Sequence, residues 1–154
     1  MITVRELEPE DYDLWRDLWD QYLRFYETSL SEAVTLSTWR KIHNRGGSVK
    51  GFLAQSSQSS QSPGVVVGIA HCFLRPSTWH EVGYLYLEDL FVAPSARGEG
   101  VGRALLDTVV EYARSLGAER VYWLTKEDNQ VARALYDSFN GGGRSEFIHY
   151  EYLL

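Results

Sequence analysis

Two periods of apolar positions run along this chain, and their alternation lays out its elements. Residues 2–7 read as a strand ended by Glu8-Pro9. From Asp11 onward Leu14, Trp15, Leu18, Trp19, Tyr22, Phe25 and Tyr26 recur at three- and four-residue steps, the mark of a helix with one apolar face. Residues 35–44 predict a second, short helix stopped by Gly46-Gly47, and 49–54 a strand. Residues 55–63, Gln-Ser-Ser-Gln-Ser-Ser-Gln-Ser-Pro, have nothing to bury and read as a flexible connection between two antiparallel strands, without chemistry of its own. β-Branched and apolar residues predict a central strand over 65–75 and another over 84–92. A strong helix follows at 101–116, striped by Val101, Leu105, Val109, Tyr112 and Leu116, with Gly117 where a left-handed cap belongs. Residues 121–125 read as a short strand, 131–139 as a helix with Val131, Leu135 and Phe139 turned inward, and 147–153 as a last strand. Strands that alternate with helices predict a layered α/β fold, a sheet flanked by helices.

The 154 residues suit one domain spanning 1–154, and a hydrophobic content of 44% allows a substantial core. No apolar run approaches the ~20 residues of a membrane span. The opening Met1-Ile2-Thr3-Val4-Arg5-Glu6 lacks the pattern of a secretory signal, and the lone Cys72 cannot form an internal disulfide. A cytoplasmic, reducing location is the expectation. No Cys/His spacing resembles a zinc site, so no metal is expected. Lys and Arg number 15 against 21 Asp and Glu, a formal charge of −6. Such a surface repels polyanions, which argues against nucleic acid and for a cationic partner such as a polyamine or a basic tail.

The chemistry concentrates between Leu87 and Leu106. A strand runs into a turn marked by Pro94, then a bend with Gly98, Gly100 and Gly102, then a helix start. Glycines there let backbone N–H groups approach a ligand closely. Those amides and the helix dipole converge on one spot, an anion site to which Arg97 and Arg103 add charge. A diphosphate is its natural guest. A Walker A loop would need Gly-Lys-Ser/Thr where Arg103-Ala104 stands, and a dinucleotide fingerprint from Gly98 would need glycine or alanine at Arg103. Neither fits. Just upstream, Glu88 and Asp89 interrupt an apolar strand. Successive strand side chains face opposite ways, so the two are expected on opposite faces, each needing a partner or an open cleft. Glu88 is the favoured functional one of the two.

Arg97-Gly98-Glu99-Gly100-Val101-Gly102 resembles the Arg/Gln-x-x-Gly-x-Gly/Ala signature of the GCN5-related N-acetyltransferases, the GNAT family. Tyr86-Leu87-Glu88-Asp89-Leu90-Phe91-Val92 and Asn129-Gln130-Val131-Ala132-Arg133-Ala134-Leu135-Tyr136 are similar to that family's flanking motifs, so the resemblance runs from about residue 65 to 136. More narrowly, the 86–92 strand and Trp79 before it are similar to spermidine/spermine and thialysine acetyltransferases and to yeast histone/polyamine acetyltransferases. The resemblance implies a mixed, mostly antiparallel central sheet flanked by helices. It also implies acetyl-CoA as co-substrate, its diphosphate held at Arg97 to Arg103.

By the same resemblance, the main chain of Leu90, Phe91 and Val92 contacts the acetyl and pantetheine groups. Tyr136 corresponds to a family tyrosine that approaches the CoA sulfur and gives the leaving thiol a hydrogen bond or proton. Asn129, also a good N-cap, would bond the pantetheine arm, and Arg133 would meet the CoA phosphates or solvent. The first two helices form the acceptor side in the family. Tyr22 and Tyr26, with Trp79 ahead of the 84–92 strand, become candidates to line a cation-friendly pocket with Glu88 and Asp89, where Glu88 would bind the acceptor's ammonium and help to take its proton. His71 and His80 read as surface or satisfied core histidines, Cys72 as a small buried hydrophobe. The implied reaction is direct transfer, in a ternary complex, to a primary amine: a polyamine, a thialysine-like amino acid or a lysine side chain. The alternative is a non-catalytic acyl-CoA-binding module, which would need neither Tyr136 nor Glu88. Final strands of relatives often pair across a dimer, so residues 147–153 imply a homodimer, and a histone acceptor would add the nucleus as a location.

Overall fold

Strand pairing accounts for most of the predicted pattern. The computed structural model describes residues 1–44, 47–57 and 64–154. Its strands β1 (Ile2–Glu6), β2 (Lys50–Ser56), β3 (Val65–Arg75), β4 (Tyr84–Val92) and β5 (Arg120–Trp123) make one sheet in the order β1-β2-β3-β4-β5. Neighbours from β1 to β4 pair antiparallel, and β5 joins β4 in parallel, the mixed, mostly antiparallel sheet expected. Helices α1 (Tyr12–Phe25), α2 (Glu32–His43), α3 (Val101–Leu116) and α4 (Gln130–Asp137) complete the elements. Two compact units result: residues 1–124 hold the sheet and α1 to α3, and residues 125–154 hold α4. Among the described residues no helix is long and apolar enough to cross a membrane.

Helix α1 buries Trp15, Leu18 and Trp19 in one cluster with Leu7, Leu53, Ile69 and Phe91 of the first unit. The Trp15 and Trp19 rings stack 5.7 Å apart. Such a pair adds about 0.5–1.5 kcal/mol beyond the burial itself. Helix α3 buries Val101, Leu105, Leu106, Val109 and Ala113. Its first turn lies close on β3 because Gly68 has no side chain. A Cβ there would stand 3.1 Å from Leu105 Cδ1, Val101 Cγ1 and the Phe91 carbonyl oxygen. Gly68 pairs with Val92, so this close approach seats the start of α3 beside the end of β4.

Four expectations need correction. Helix α2 starts at Glu32, because the Ser31 hydroxyl caps it by accepting the Val34 N–H at 3.3 Å. Gln55 and Ser56 belong to β2 rather than to a loop, since ladders on both sides hold them: Val66 and Val65 on one, Thr3 and Ile2 on the other. The rest of that Ser/Gln stretch, 58–63, and Gly46 of the helix stop lie outside the described residues. Residues 147–153 form no strand, and Phe147, Ile148 and Tyr150 are largely exposed. Apolar alternation yields a strand only where a partner edge supplies hydrogen bonds. Val131, in the first turn of α4, is 75% exposed rather than turned inward.

Candidate active site

The predicted anion site is built where β4 ends and α3 begins. Ala93 N–H donates to the Val67 carbonyl at 2.8 Å, keeping the chain on β3 just past the end of β4. Residues Pro94–Ala96 then make a single tight turn. Gly98 and Gly100 follow with φ of +82° and +87°. Such left-handed values cost other residues about 1–2 kcal/mol. A Cβ at either glycine would meet nothing within 4 Å, so the backbone conformation asks for glycine and the space over the bend is open. The first intrahelical bond of α3 runs from Ala104 N–H to the Gly100 carbonyl at 3.0 Å. The amides of Val101 and Gly102 precede it and have no intrahelical acceptor. The positive end of the α3 dipole lies at the same place. Arg97 Nε donates to the Val92 carbonyl at 3.2 Å, and its guanidinium lies 5.1 Å from the Phe25 ring centre. Glu99 is exposed between the two glycines, and Arg103 sits half-buried in the first turn of α3. An open bend rich in amides and flanked by arginine fits a diphosphate.

Strand β5 accompanies β4 only from Tyr84 to Leu87. Beyond Leu87 no described strand pairs with that side of β4, so the main chain of Leu90, Phe91 and Val92 bonds β3 on one edge and leaves the other open. An open edge of this kind can hold the amides of a ligand as a neighbouring strand would.

A cavity of about 380 Å³ lies against the same strand, lined by Tyr22 of α1, Tyr26 just past its end, Lys41 of α2, His71 and Phe73 of β3, and both Glu88 and Asp89. That both acids face it corrects the expectation of opposite faces. His71 pairs with Asp89 and Cys72 with Leu87, which leaves Glu88 as the extra residue of a β-bulge. The bulge shifts the alternation by one position and turns two sequence neighbours the same way.

The two carboxylates differ in their surroundings. Asp89 Oδ1 accepts the Tyr22 hydroxyl proton at 2.8 Å, and Oδ2 lies 2.9 Å from His71 Nδ1. Glu88 is more open, with the Tyr86 hydroxyl as its hydrogen-bond partner. Partial burial holds Glu88 above the usual carboxylate range, and the neighbouring Asp89 charge adds to this. Burial likewise raises Tyr22 and Tyr26 and pushes Tyr86 up to about 12, so these phenols keep their protons near neutrality. Carboxylates among ring faces suit an ammonium group.

Not every predicted residue lines this cavity. Trp79 is 87% exposed in the β3–β4 connection and does not line the cavity; its backbone N–H donates to Ser77 Oγ at 3.0 Å, a local turn contact. Asn129, Arg133 and Tyr136 belong to the second unit. Asn129 Oδ1 caps α4 by accepting the Ala132 N–H at 3.3 Å, Arg133 Nη1 donates to the Glu127 carbonyl at 2.7 Å, and Tyr136 is half-buried near the end of α4. Cys72 is fully buried, and burial pushes its thiol up to about 12. The partnership of His71 with Asp89 escaped sequence reasoning, because residue types do not announce a bulge.

Residues 11–141 match the acetyltransferase (GNAT) family, and the chain belongs to it: it is a GNAT-type N-acetyltransferase, dependent on acetyl-CoA. It is 33% identical over 135 residues to the D-amino-acid N-acetyltransferase HPA3 of Saccharomyces cerevisiae, covering 88% of this chain and 81% of that protein. It is also 43% identical over 63 residues to the thialysine N-epsilon-acetyltransferase of Caenorhabditis elegans, 40% of this chain and 38% of the relative. Its fold matches that of AAC(6')-Iy in complex with the bisubstrate analogue CoA-S-monomethyl-acetylneamine, with a TM-score of 0.78 at 18% identity over 100% of this chain and 99% of the other.

Proposed function

We propose that the protein transfers an acetyl group directly from acetyl-CoA to the primary amine of a cationic acceptor: a polyamine, a thialysine-like amino acid or a lysine side chain. The observation that carries this is the pair of carboxylates, Glu88 and Asp89, on one wall of a cavity that Tyr22 and Tyr26 also line. Relatives named for D-amino acids and for thialysine support an amine acceptor of this kind. Arg97, the amides of Gly98 to Gly102 and Arg103 hold the diphosphate of acetyl-CoA, and the open edge at Leu90, Phe91 and Val92 takes the pantetheine arm. Asn129 and Arg133 serve the same ligand, and Tyr136 hydrogen-bonds the leaving thiol; the family resemblance supports these three roles.

An alkyl ammonium of pKa near 10.4 must lose its proton before it attacks, which costs about 4.6 kcal/mol at pH 7. Glu88, held above the ordinary carboxylate range, is the acid that helps to take this proton. Asp89 already accepts hydrogen bonds at both oxygens and supplies fixed negative charge. Direct transfer is favoured because the lone Cys72 is buried and its thiol held protonated. The family match over residues 11–141 crosses the boundary between the two compact units, which supports reading 1–154 as one catalytic domain. The exposed apolar residues Phe147, Ile148, Tyr150 and Tyr152 support a homodimer, and a lone reduced cysteine a cytoplasmic location.

A panel of amines incubated with acetyl-CoA, read by thiol release and by mass gain on the acceptor, tests this reading. Turnover of cationic primary amines is expected. Saturable CoA binding with no turnover on any amine would select the acyl-CoA-binding module instead.

A further inference from the structure

On the acceptor wall, among the residues that line the cavity, stands a histidine to which the reaction gives no role. His71 is 1% exposed, and both of its ring nitrogens are engaged. Trp15 Nε1 lies 2.9 Å from His71 Nε2. An indole N–H can only donate, so Nε2 accepts and the ring carries its proton on Nδ1. Nδ1 lies 2.9 Å from Asp89 Oδ2, and the hydrogen bond therefore runs from histidine to carboxylate. On the other oxygen Asp89 accepts the Tyr22 hydroxyl proton at 2.8 Å. A carboxylate gripped at both oxygens cannot rotate about its Cβ–Cγ bond without breaking a charge-assisted hydrogen bond.

We propose that His71 is a positioning residue for the acceptor: Trp15 fixes its tautomer, and the fixed Nδ1–H holds Asp89 in one orientation on the cavity wall. This rests on the reading of that cavity as the acceptor site. The chain of contacts spans three elements, from Trp15 on α1 through His71 on β3 to Asp89 on β4, and Tyr22 closes it back to α1. It depends on the bulge, since a regular ladder continued from the Cys72–Leu87 pair would set Glu88 opposite His71 and turn Asp89, opposite Ala70, to the other face. Glu88, Tyr26 and Lys41 face the same cavity, but the ring nitrogens of His71 go to Trp15 and Asp89. Acting through Asp89, His71 should govern how well an ammonium binds and leave acetyl-CoA binding alone.

Two variants and one spectrum test the assignment. His71→Leu removes both hydrogen bonds, whereas His71→Asn keeps an amide donor near the place of Nδ1. The expected result is an acceptor KM raised about tenfold or more in His71→Leu. Its KM for acetyl-CoA should stay within about twofold, and His71→Asn should recover much of the acceptor KM. A purely structural histidine would give a lower melting temperature with both KM values moved together or neither moved, and no selective rescue; that pattern overturns the proposal. Ring-nitrogen NMR of the histidine-labelled wild-type protein, assigned by the signal lost in His71→Asn, should show the proton on Nδ1. A proton on Nε2 overturns the proposal whatever the kinetics. If the Nδ1–H signal is present but no amine is turned over, the reading of the cavity fails and the positioning role falls with it.

Discussion

The Tyr22 hydroxyl donates to Asp89 Oδ1 at 2.8 Å, a contact between residues 67 positions apart that ties helix α1 to strand β4 at the wall of the cavity. A hydrogen bond to a charged group contributes about 1.5–3 kcal/mol. Tyr22→Phe should therefore raise the KM of a cationic amine about tenfold, with the KM of acetyl-CoA unchanged. Steady-state kinetics with each substrate varied in turn would show it, and an unaltered amine KM would mean that the Tyr22–Asp89 bond plays no part in acceptor binding.

Glu88 carries a pH signature. Burial, with Asp89 adding to it, holds its carboxyl above the 4.5 of a free glutamate. A group raised in the folded state stabilises fully below the unfolded value and loses that contribution as pH rises through the folded value. Glu88→Gln should thus be at least as thermostable as the wild type at neutral pH, the gap closing in acid. In activity, the acidic limb of kcat/KM should begin above the range of a free glutamate and vanish in Glu88→Gln. Melting curves and pH–rate profiles of the pair test both halves; a variant less stable at neutral pH contradicts the buried-charge account.

At Gly100 the backbone sits at φ +87° with open space where a side chain would go. Gly100→Ala is expected to cost about 1–2 kcal/mol through backbone strain alone. It should also weaken coenzyme A binding, measured by calorimetry, because the start of α3 turns away from its ligand. Tight binding in the alanine variant would mean that the amides of this bend do not hold the phosphates.

Cys72 should ignore thiol reagents until the protein unfolds, since it is fully buried and its thiol is pushed up to about 12. Cys72→Ala should retain turnover, and no acetylated enzyme should appear by mass spectrometry when acetyl-CoA is supplied without an amine. An acetyl-cysteine intermediate would replace direct transfer.

For Tyr136, loss of the phenol should slow departure of the thiol. Tyr136→Phe is expected to lower kcat about 10- to 100-fold with little change in the KM for acetyl-CoA. An unchanged kcat, with chemistry limiting the rate, would take the phenol out of the reaction.

Local chemistry was enough to place β3, β4 and α3 at their observed bounds and to find the Gly98–Gly100 bend, because periodicity, caps and left-handed glycines are properties of a few consecutive residues. Gln55 and Ser56 show the opposite case: nothing in them asks for a strand, yet ladders from β1 and β3 hold them in one. Residues 147–153 carry the pattern of a strand and form none, since pairing needs a partner that composition does not supply. By itself, then, the sequence determined the order of elements, the glycine bend at the start of α3 and the presence of two adjacent acids. Only the tertiary structure decided that those acids share a cavity and that His71 and Tyr22 grip one of them. A bulge is set by the register between two strands, and register is a property of the pair rather than of either strand alone.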